Sequence, residues 1–242
     1  MIKVFIDGKE GTTGLRIYDR LCDRDDIELI ILPEEERKNA EQRRRAINES
    51  DISFLCLPDA AAIEAEQMAE NPNTVIIDTS TAHRTNPGWA YGFPELSKGH
   101  LQAVQESKRI AVPGCHAGGF IALIDPLVKG GILPRSALLT SYSITGYSGG
   151  GKKMIAEYEK EERSPLLAAP RQYGLTQQHK HLKEMKYITG LENAPIFCPV
   201  VSDFYSGMVM TVPLFLEQLT SGASCDTIRE LENIIADRSY PM

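Results

Sequence analysis

The first half of the chain alternates short apolar segments with helical patterns, and this order restricts the fold more than any other feature. Short apolar runs bounded by polar residues predict strands at Ile2–Ile6, Ile27–Leu32, Ile52–Leu57 and Thr74–Asp78. Helical spacing and composition predict helices at Gly14–Cys22, Glu35–Asn48 and Pro58–Glu70. Strands that alternate with helices form a doubly wound parallel sheet, because parallel neighbours need a crossover connection.

The first strand runs directly into a glycine-rich turn. Gly8, Gly11 and Gly14 follow the spacing G-x-x-G-x-x-G, and a helix begins at the last of them. Glycines let the backbone approach a pyrophosphate, which binds at the helix N-terminus. Thr12 and Thr13 add hydroxyl donors. As the first strand-to-helix turn of an alternating pattern, this segment predicts a dinucleotide site.

The choice between NAD and NADP depends on the end of the second strand, which reads Pro33-Glu34-Glu35-Glu36-Arg37-Lys38. An acidic residue there would bind the ribose hydroxyls of NAD, whereas Arg37 and Lys38 could pair with the 2′-phosphate of NADP. A solvated helix start fits the same residues, so the alternatives stay open. Ligands of parallel sheets bind at the strand C-termini, so Pro58 and Ser80 are expected to contact the cofactor.

The pattern changes after Pro113, which we take as a domain boundary. A helix is expected over Phe120–Leu127 and another over Lys152–Glu162, with strands at Ser136–Ile144, Pro195–Val201 and Gly207–Leu216. This predicts an α+β domain on a mixed or antiparallel sheet. The expected domains are therefore a dinucleotide-binding domain, 1–113, and a catalytic domain, 114–242.

Cys115 lies just after Pro113-Gly114 and just before an apolar helix. A thiol at a helix N-terminus is near the positive end of the macrodipole, which favours the thiolate. The neighbouring backbone N–H groups could stabilise an oxyanion on a substrate that the sulfur attacks. The alternative is a small buried apolar residue. The glycine-rich flanks favour the nucleophile, and we expect His116 beside it to contact the substrate.

Further polar candidates lie in three segments. His179 and His181 flank Lys180 and would face the same side of an extended segment, where one could act as an acid or base. Ser148, Gly149 and Lys152 belong to a glycine-rich loop that could bind an anion, with Lys153 as an alternative to Lys152. Arg84 is another candidate for binding an acidic substrate. The histidine pair shows no ligand pattern that would favour a metal site.

Composition excludes several classes of protein. A net charge of −7 argues against a general nucleic-acid surface, and no apolar run reaches membrane-spanning length. The chain starts with a short strand rather than a signal peptide. Its 5 cysteines (22, 56, 115, 198 and 225) are dispersed and form no C-x-x-C pair, so a reducing cytoplasm is expected.

A cysteine, histidines, anion sites and a nicotinamide cofactor together suggest one chemistry. A thiolate attacks an activated acyl group, phosphate leaves, and a thioester forms. Hydride transfer then gives a thiohemiacetal, which collapses to an aldehyde.

At this point the chain resembles the N-acetyl-gamma-glutamyl-phosphate reductases of arginine biosynthesis, in their shorter form. The matching segments run in family order over nearly the whole chain. They are Gly8–Gly14, Asp78–Arg84 (DTSTAHR), Tyr91–Leu96 (YGFPEL), Val112–Gly119 (VPGCHAGG), Gly146–Lys153 (GYSGGGKK), His179–Met185 (HKHLKEM) and Pro195–Leu214.

The resemblance implies NADPH-dependent reduction of N-acetyl-glutamyl phosphate to the semialdehyde, with Cys115 as nucleophile. It implies a base from the HKH segment, where we favour His179 over His181. It also implies a homo-oligomer, a dimer or tetramer. Family members continue past the point where this chain stops, with a strand and a glycine-containing helix that return to the cofactor. The resemblance thus implies either a fragment or a C-terminally shortened form whose missing parts are supplied otherwise.

Three alternatives are weighed against this reductase. A related acyl-phosphate reductase such as aspartate-semialdehyde dehydrogenase would share the fold and chemistry, but the GYSGGGKK and HKH segments argue against it. A shortened, non-catalytic subunit is compatible with the missing C-terminal part. A cysteine hydrolase would leave the Gly8–Gly14 turn without a role.

Overall fold

The computed structural model describes residues 1–9, 11–220 and 229. The chain divides into two compact units. The first holds Met1–Pro94 and Lys98–Pro113, and the second holds Glu95–Ser97 together with the chain from Gly114 onward. Within the described residues, no helix is both long and apolar enough to cross a membrane.

The first unit contains a six-stranded sheet in which every pairing is parallel. In chain order its strands are β1 (Ile2–Asp7), β2 (Ile27–Ile30), β3 (Ile52–Leu55), β4 (Val75–Asp78), β5 (Ala90–Tyr91) and β6 (Arg109–Ala111). Across the sheet the order is β2-β1-β3-β4-β6-β5. The expected doubly wound parallel sheet is confirmed, although the pattern had shown only its first four strands.

Four helices complete this unit: α1 (Thr12–Leu21), α2 (Ala40–Glu49), α3 (Asp59–Gln67) and α4 (Lys98–Glu106). The core between sheet and helices holds Phe5, Ile47, Leu55 and Ile76, all almost fully buried. The charged helix expected from Glu35 starts only at Ala40. Asn39 caps it, because its side chain accepts the backbone N–H groups of Glu41 and Gln42.

The second unit contains a four-stranded mixed sheet with the order β10-β7-β9-β8. Its elements are α5 (Cys115–Lys129), β7 (Thr140–Gly146), α6 (Gly151–Glu159), β8 (Arg171–Gln172), α7 (Lys180–Thr189), β9 (Ile196–Ser202) and β10 (Met208–Thr211). β7 and β9 pair in parallel, whereas β10 and β8 are antiparallel to their neighbours. The expected mixed sheet is confirmed.

Several boundaries differ from expectation in the second unit. β7 begins at Thr140 rather than Ser136, because a turn closes from Ala137 N–H to the Pro134 carbonyl at 3.0 Å. β10 ends at Thr211 rather than at Leu216, just before Pro213, which has no N–H to donate to a ladder. The apolar pattern also gave no sign of β8, whose two residues are too few to show periodicity.

Candidate active site

The turn after β1 is shaped by close contacts within the main chain. Gly8 has φ +84°, and a Cβ there would clash with the Cys56 carbonyl oxygen. A Cβ on Gly14 would lie 2.5 Å from the Gly8 carbonyl oxygen. The Gly11 N–H donates to that same oxygen at 2.9 Å. Gly8 and Gly14 are therefore required by the turn itself.

Gly11 plays a different part. It is the N-cap of α1, has φ −70°, and offers no side-chain acceptor to the helix. α1 also carries no acidic residue in its first turn. A Cβ on Gly11 would come no closer than 3.2 Å to its nearest neighbour, the Gly8 carbonyl oxygen. The first-turn N–H groups therefore have no side-chain cap at Gly11, as an anion site requires.

A cleft of about 880 Å³ opens over this turn. We call it the glycine-turn cleft. Its walls include Gly8, Lys9 and Gly11 from the turn, Arg37 and Lys38 after β2, and Pro58 after β3. Its volume is in the range of small-molecule sites. It offers glycine backbone, an open helix N-terminus and cations, a donor set that fits a dinucleotide phosphate.

Four residues expected to bind the cofactor are not part of this wall: Thr12, Thr13, Gly14 and Ser80. Thr12 and Thr13 are the first residues of α1, and Gly14 supports the turn. Ser80 is buried, and its hydroxyl donates to the Asp78 carboxylate at 2.7 Å. Ser80 therefore stabilises the loop after β4, and its expected contact with the cofactor stays a prediction.

Arg37 lies at the cleft beside an acidic neighbour. Its guanidinium pairs with Glu34 at 2.7 Å, and the side chain of Arg37 is 30% exposed while that of Glu34 is 88% exposed. Lys38, which is exposed, lines the same cleft. The residues proposed for NAD and for NADP thus belong to one short turn.

The cleft also contains a buried ion pair that the sequence pattern did not indicate. Arg43 on α2 donates to both carboxylate oxygens of Asp7, at 2.9 to 3.3 Å. Burial raises the pKa of Asp7, and the bonds and charge of Arg43 oppose that rise. Three bonds to one carboxylate hold the end of β1 against α2.

The loop after β4 is held by a second polar cluster. His83 Nδ1 lies 2.7 Å from Asp78, and the His83 ring stacks on Trp89 with centroids 4.0 Å apart. Arg84 follows, mostly buried, and donates to the Thr79 carbonyl at 2.9 Å. The structure thus places Arg84 at the C-terminal end of β4, where parallel sheets bind ligands.

In the second unit, Cys115 is the first residue of α5 and its side chain is exposed. Gly114 is the N-cap and provides no side-chain acceptor, and no acidic residue lies in the first turn. The N–H of Gly114 donates to Oε1 of Glu184, a buried residue of α7, at 2.9 Å. This bond holds the start of α5 against α7. The thiol therefore lies at the positive end of a fixed helix.

His116 is buried, and both of its ring nitrogens have partners. Nε2 lies 2.7 Å from the Tyr173 hydroxyl, and Nδ1 lies 2.9 Å from the Ser143 hydroxyl. Burial and then the charge of His179 lower the pKa of His116 from 6.5 to about 4. A buried ring with both nitrogens bonded argues against the expected substrate contact. His116 instead connects Ser143 to Tyr173.

The spacing of the HKH segment predicted an extended conformation. This prediction is wrong, because the segment begins a helix. His179 is the N-cap of α7, and its Nδ1 accepts the His181 N–H at 3.2 Å. The two rings still lie together, with centroids 4.6 Å apart, and both are within 6.2 Å of the His116 ring. Burial lowers the pKa of His179. Both histidines therefore lie beside the residue that follows Cys115.

The glycine-rich loop after β7 is a 3₁₀ turn, Tyr147–Gly150. The N–H groups of Tyr147 and Ser148 donate to the carbonyls of Phe204 and Tyr205, at 3.0 and 2.9 Å. These groups are thus used within the fold, which weakens the expected backbone anion site. Lys152, on the first turn of α6, is exposed.

Three residues of this site were not found from the sequence: Ser143, Tyr173 and Glu184. Ser143 belongs to a strand and Tyr173 to a loop, so neither had a local signal. Glu184 lies three residues after His181, which is one helical turn. A helical interpretation of the HKH segment would have placed it on the face of His181.

Comparison with known sequences agrees with this arrangement. Residues 31–104 match the profile of the semialdehyde dehydrogenase NAD-binding domain, and residues 115–236 match that of the semialdehyde dehydrogenase dimerisation domain. The N-acetyl-gamma-glutamyl-phosphate reductase of Rhizobium meliloti (strain 1021) is 50% identical over 228 residues, which are 93% of this chain and 74% of that protein.

The chain belongs to the N-acetyl-gamma-glutamyl-phosphate reductase family. The reductase of Burkholderia lata is 46% identical over 222 residues, or 91% of this chain and 70% of that one. This member of the reductase family therefore spans about three quarters of the length of these relatives. This reductase family is a family of enzymes within the semialdehyde dehydrogenases.

Solved structures share the fold of this reductase-family chain. Aspartate semialdehyde dehydrogenase from Francisella tularensis superposes with a TM-score of 0.67 at 14% identity, over 99% of this chain and 81% of that one. The enzyme from Candida albicans, solved with NADP, gives 0.65 at 16% identity over 97% and 75%. At such identities the likeness concerns the fold alone.

Proposed function

We propose that this protein reduces N-acetyl-glutamyl 5-phosphate to N-acetyl-glutamate 5-semialdehyde and phosphate, with NADPH as reductant, in arginine biosynthesis. The observation that carries the proposal is the exposed Cys115 at the N-terminus of α5, with two histidines of α7 close by. The family supplies the substrate, since the relatives that resemble this chain over 93% of its length carry that reductase name.

Cys115 begins the reaction as a thiolate. Its sulfur attacks the acyl carbon, the carbonyl electron pair moves to oxygen, and the intermediate expels phosphate to leave a thioester. The N–H groups of the first turn of α5 then stabilise this oxyanion. Gly114 and Glu184 hold that turn in position.

When bound, NADPH supplies the hydride that reduces the thioester. The resulting thiohemiacetal collapses to the aldehyde and returns the electron pair to the sulfur of Cys115. A histidine of α7 gives a proton to the thiohemiacetal oxygen after hydride transfer and takes it back when the aldehyde forms. In neutral His179, Nδ1 accepts a backbone N–H, so the ring proton is on Nε2. His179 is therefore a proton donor at Nε2 in this tautomer, and His181 is the second candidate.

The glycine-turn cleft would hold the dinucleotide. Gly8, Gly11 and the N-terminus of α1 fit its pyrophosphate, and Arg37 and Lys38 fit the 2′-phosphate of NADP. Pro58 lines the same cleft. For the acidic substrate, Arg84 and Lys152 remain the proposed cations, and the turn at Ser148 and Gly149 is the proposed contact.

The first test is an assay of the reverse reaction. The purified protein should reduce NADP⁺ with N-acetyl-glutamate semialdehyde only when phosphate is present. Cys115→Ser should lose turnover by about 10⁴-fold or more, since a serine hydroxyl is barely ionised at neutral pH. Cys198→Ser, on β9, is the matched control. Reduction with aspartate semialdehyde instead would support the related dehydrogenase, and no reduction with either would support a non-catalytic subunit.

The second test separates the two histidines. His179→Asn keeps a side-chain acceptor at the N-cap of α7 but loses acid–base function, and His181→Asn is its counterpart. One variant should lose far more turnover than the other while both still bind NADPH. Equal, small losses would contradict a role for either histidine.

We further propose that the protein is a homo-oligomer, a dimer or tetramer, in the cytoplasm. The region 115–236 matches a dimerisation domain. Tyr142, Ile196 and Val209 are 40%, 58% and 64% exposed on the strands of the mixed sheet. A second copy of the chain would cover this apolar face. Val209→Lys should then shift the protein toward monomer in sedimentation, and an unchanged mass would contradict this interface.

A further inference from the structure

Three side chains form a hydrogen-bonded chain next to the nucleophile. Ser143 on β7 bonds Nδ1 of His116 at 2.9 Å, and Nε2 of His116 bonds the Tyr173 hydroxyl at 2.7 Å. His116 directly follows Cys115 on α5. The Tyr173 ring also lies 6.2 Å from the His179 ring. These hydrogen bonds therefore connect the interior of the sheet with the group of residues around the thiol.

The direction of the hydrogen bonds follows from burial. A neutral imidazole carries one N–H, so only two directions are possible. Ser143 is 0% exposed, and a hydroxyl proton directed away from His116 would be a buried unsatisfied donor, at a cost of about 1–3 kcal/mol. Tyr173 is only partly buried. The favoured direction runs from the Ser143 hydroxyl to Nδ1 and from Nε2–H to the Tyr173 oxygen.

This direction leaves the hydroxyl proton of Tyr173 to point away from His116. We propose that the Tyr173 hydroxyl donates a hydrogen bond to the oxyanion that forms when Cys115 attacks a carbonyl, and that His116 and Ser143 position it. The inference rests on the proposed function, because it assigns a residue to the same thiol chemistry. Tyr173 is then a catalytic residue, and the other two are positioning residues.

The protonation state of Tyr173 agrees with this role. Burial, and then the negative charge of the Cys115 thiolate, raise the pKa of Tyr173 to about 12. The phenol therefore stays protonated at neutral pH and acts as a donor rather than a base.

The step needs no further reactant. The carbon–sulfur bond forms with the thiolate electron pair, and the carbonyl π pair moves to oxygen, where the Tyr173 O–H and the N–H groups of α5 stabilise it. The pair then returns to reform the carbonyl and expels the leaving group. Tyr173 keeps its proton throughout, so its effect is electrostatic.

Two reagents separate oxyanion stabilisation from thiol activation. Acetylation of Cys115 by p-nitrophenyl acetate passes through an oxyanion, whereas alkylation by iodoacetamide does not. Both rates can be measured on the peptide that contains Cys115 by mass spectrometry. Tyr173→Phe should slow acetylation by about 10²-fold and leave alkylation within about twofold, as expected for loss of one oxyanion donor. Tyr187→Phe, an exposed tyrosine of α7, is the matched control.

Ser143→Ala provides the second variant, because it keeps the Tyr173 hydroxyl but removes the donor to Nδ1. It should slow acetylation by a smaller factor, on the order of tenfold, again without slowing alkylation. If Tyr173→Phe slows both reactions equally, Tyr173 acts on the thiol and the proposal is wrong. Acetylation at the unaltered rate would also overturn it.

The same experiment is independent of the proposed substrate. Neither reagent requires phosphate, NADP or N-acetyl-glutamate semialdehyde. A wild-type protein that fails to turn over that aldehyde, but shows the selective loss of acetylation in Tyr173→Phe, would contradict the proposed function and support this inference. Full turnover in Tyr173→Phe would leave the proposed function intact and overturn the inference.

Discussion

In the first unit the candidate site is made mainly of backbone, whereas in the second it is made of side chains from distant segments. The glycine-turn cleft depends on Gly8, Gly11 and the N-terminus of α1, which lie within one turn of the chain. The thiol site combines Cys115 with Tyr173 and Glu184, which are about 60 and 70 residues away in sequence.

This difference has a chemical reason. A pyrophosphate is bound by N–H groups that every residue except proline carries, so the sequence need only keep side chains out of the way. An acyl-transfer site needs a nucleophile, a donor and a proton carrier at defined positions, and one short segment cannot supply all three. The first site should therefore be broken by added atoms, and the second by removed ones.

The largest expected effect in the first unit comes from Gly11→Val. The backbone at φ −70° accepts a side chain, so the added atoms should exclude the pyrophosphate rather than unfold the turn. We expect the Kd for NADPH to rise by about 100-fold, which corresponds to the loss of a few hydrogen bonds. Titration with NADPH by fluorescence measures it. Gly88→Val is the control, because a Cβ there would meet only the Asn86 side chain, at 3.5 Å. Unchanged affinity in folded Gly11→Val would place the cofactor elsewhere.

The second unit should show the opposite sensitivity at Glu184. Glu184→Leu removes the acceptor for the Gly114 N–H and leaves that group buried and unpaired. We expect kcat to fall by about 10-fold to 100-fold, because a small displacement of the helix start misplaces the thiol. NADPH affinity should stay the same. Glu184→Gln keeps an acceptor oxygen and should recover most of the loss, and if it does not, the hydrogen bond is not what positions α5.

A smaller effect tests whether side chains add specificity to the backbone site. The double change Arg37→Ala and Lys38→Ala should raise the Kd for NADPH by about 10-fold and leave that for NADH nearly unchanged, as for loss of charge-assisted bonds to one phosphate. Parallel titrations with the two cofactors measure the ratio. Equal weakening for both would show that these residues support the turn rather than recognise the phosphate.

The smallest effect concerns His116 and pH. The pKa of His116 is about 4 in the folded chain, below its ordinary value of 6.5, which applies to the unfolded chain. Between these two pH values the unfolded chain therefore binds a proton that the folded chain does not. The resulting stability is complete above pH 6.5 and is lost as the pH falls toward 4. The slope reaches about 1.4 kcal/mol per pH unit. Urea unfolding of the wild type and of His116→Gln should show this slope in their difference, and parallel curves would mean that the pKa of His116 is the same in the folded and the unfolded chain.

The same contrast decides what the sequence could predict. The parallel sheet, the glycine turn and the helix after Cys115 follow from local periodicity and turn residues. The positions of Tyr173, Ser143 and Glu184 depend on how α5, α7 and β7 pack, which no local pattern records. The prediction of an extended HKH segment failed for the same reason. Its i, i+2 spacing fits a strand, but the cap by His179 and the packing of α7 make it a helix start.

The most direct test of the account is to trap the acyl group on the thiol. Wild-type protein mixed with N-acetyl-glutamate semialdehyde and NADP⁺, without phosphate, should release about one NADPH per chain in a rapid burst and then stop. The peptide containing Cys115 should carry the added acyl mass, and phosphate should remove it. Cys115→Ser should show neither burst nor adduct. A burst with the acyl group on Cys22, Cys56, Cys198 or Cys225, or steady turnover without any adduct, would contradict covalent catalysis by Cys115.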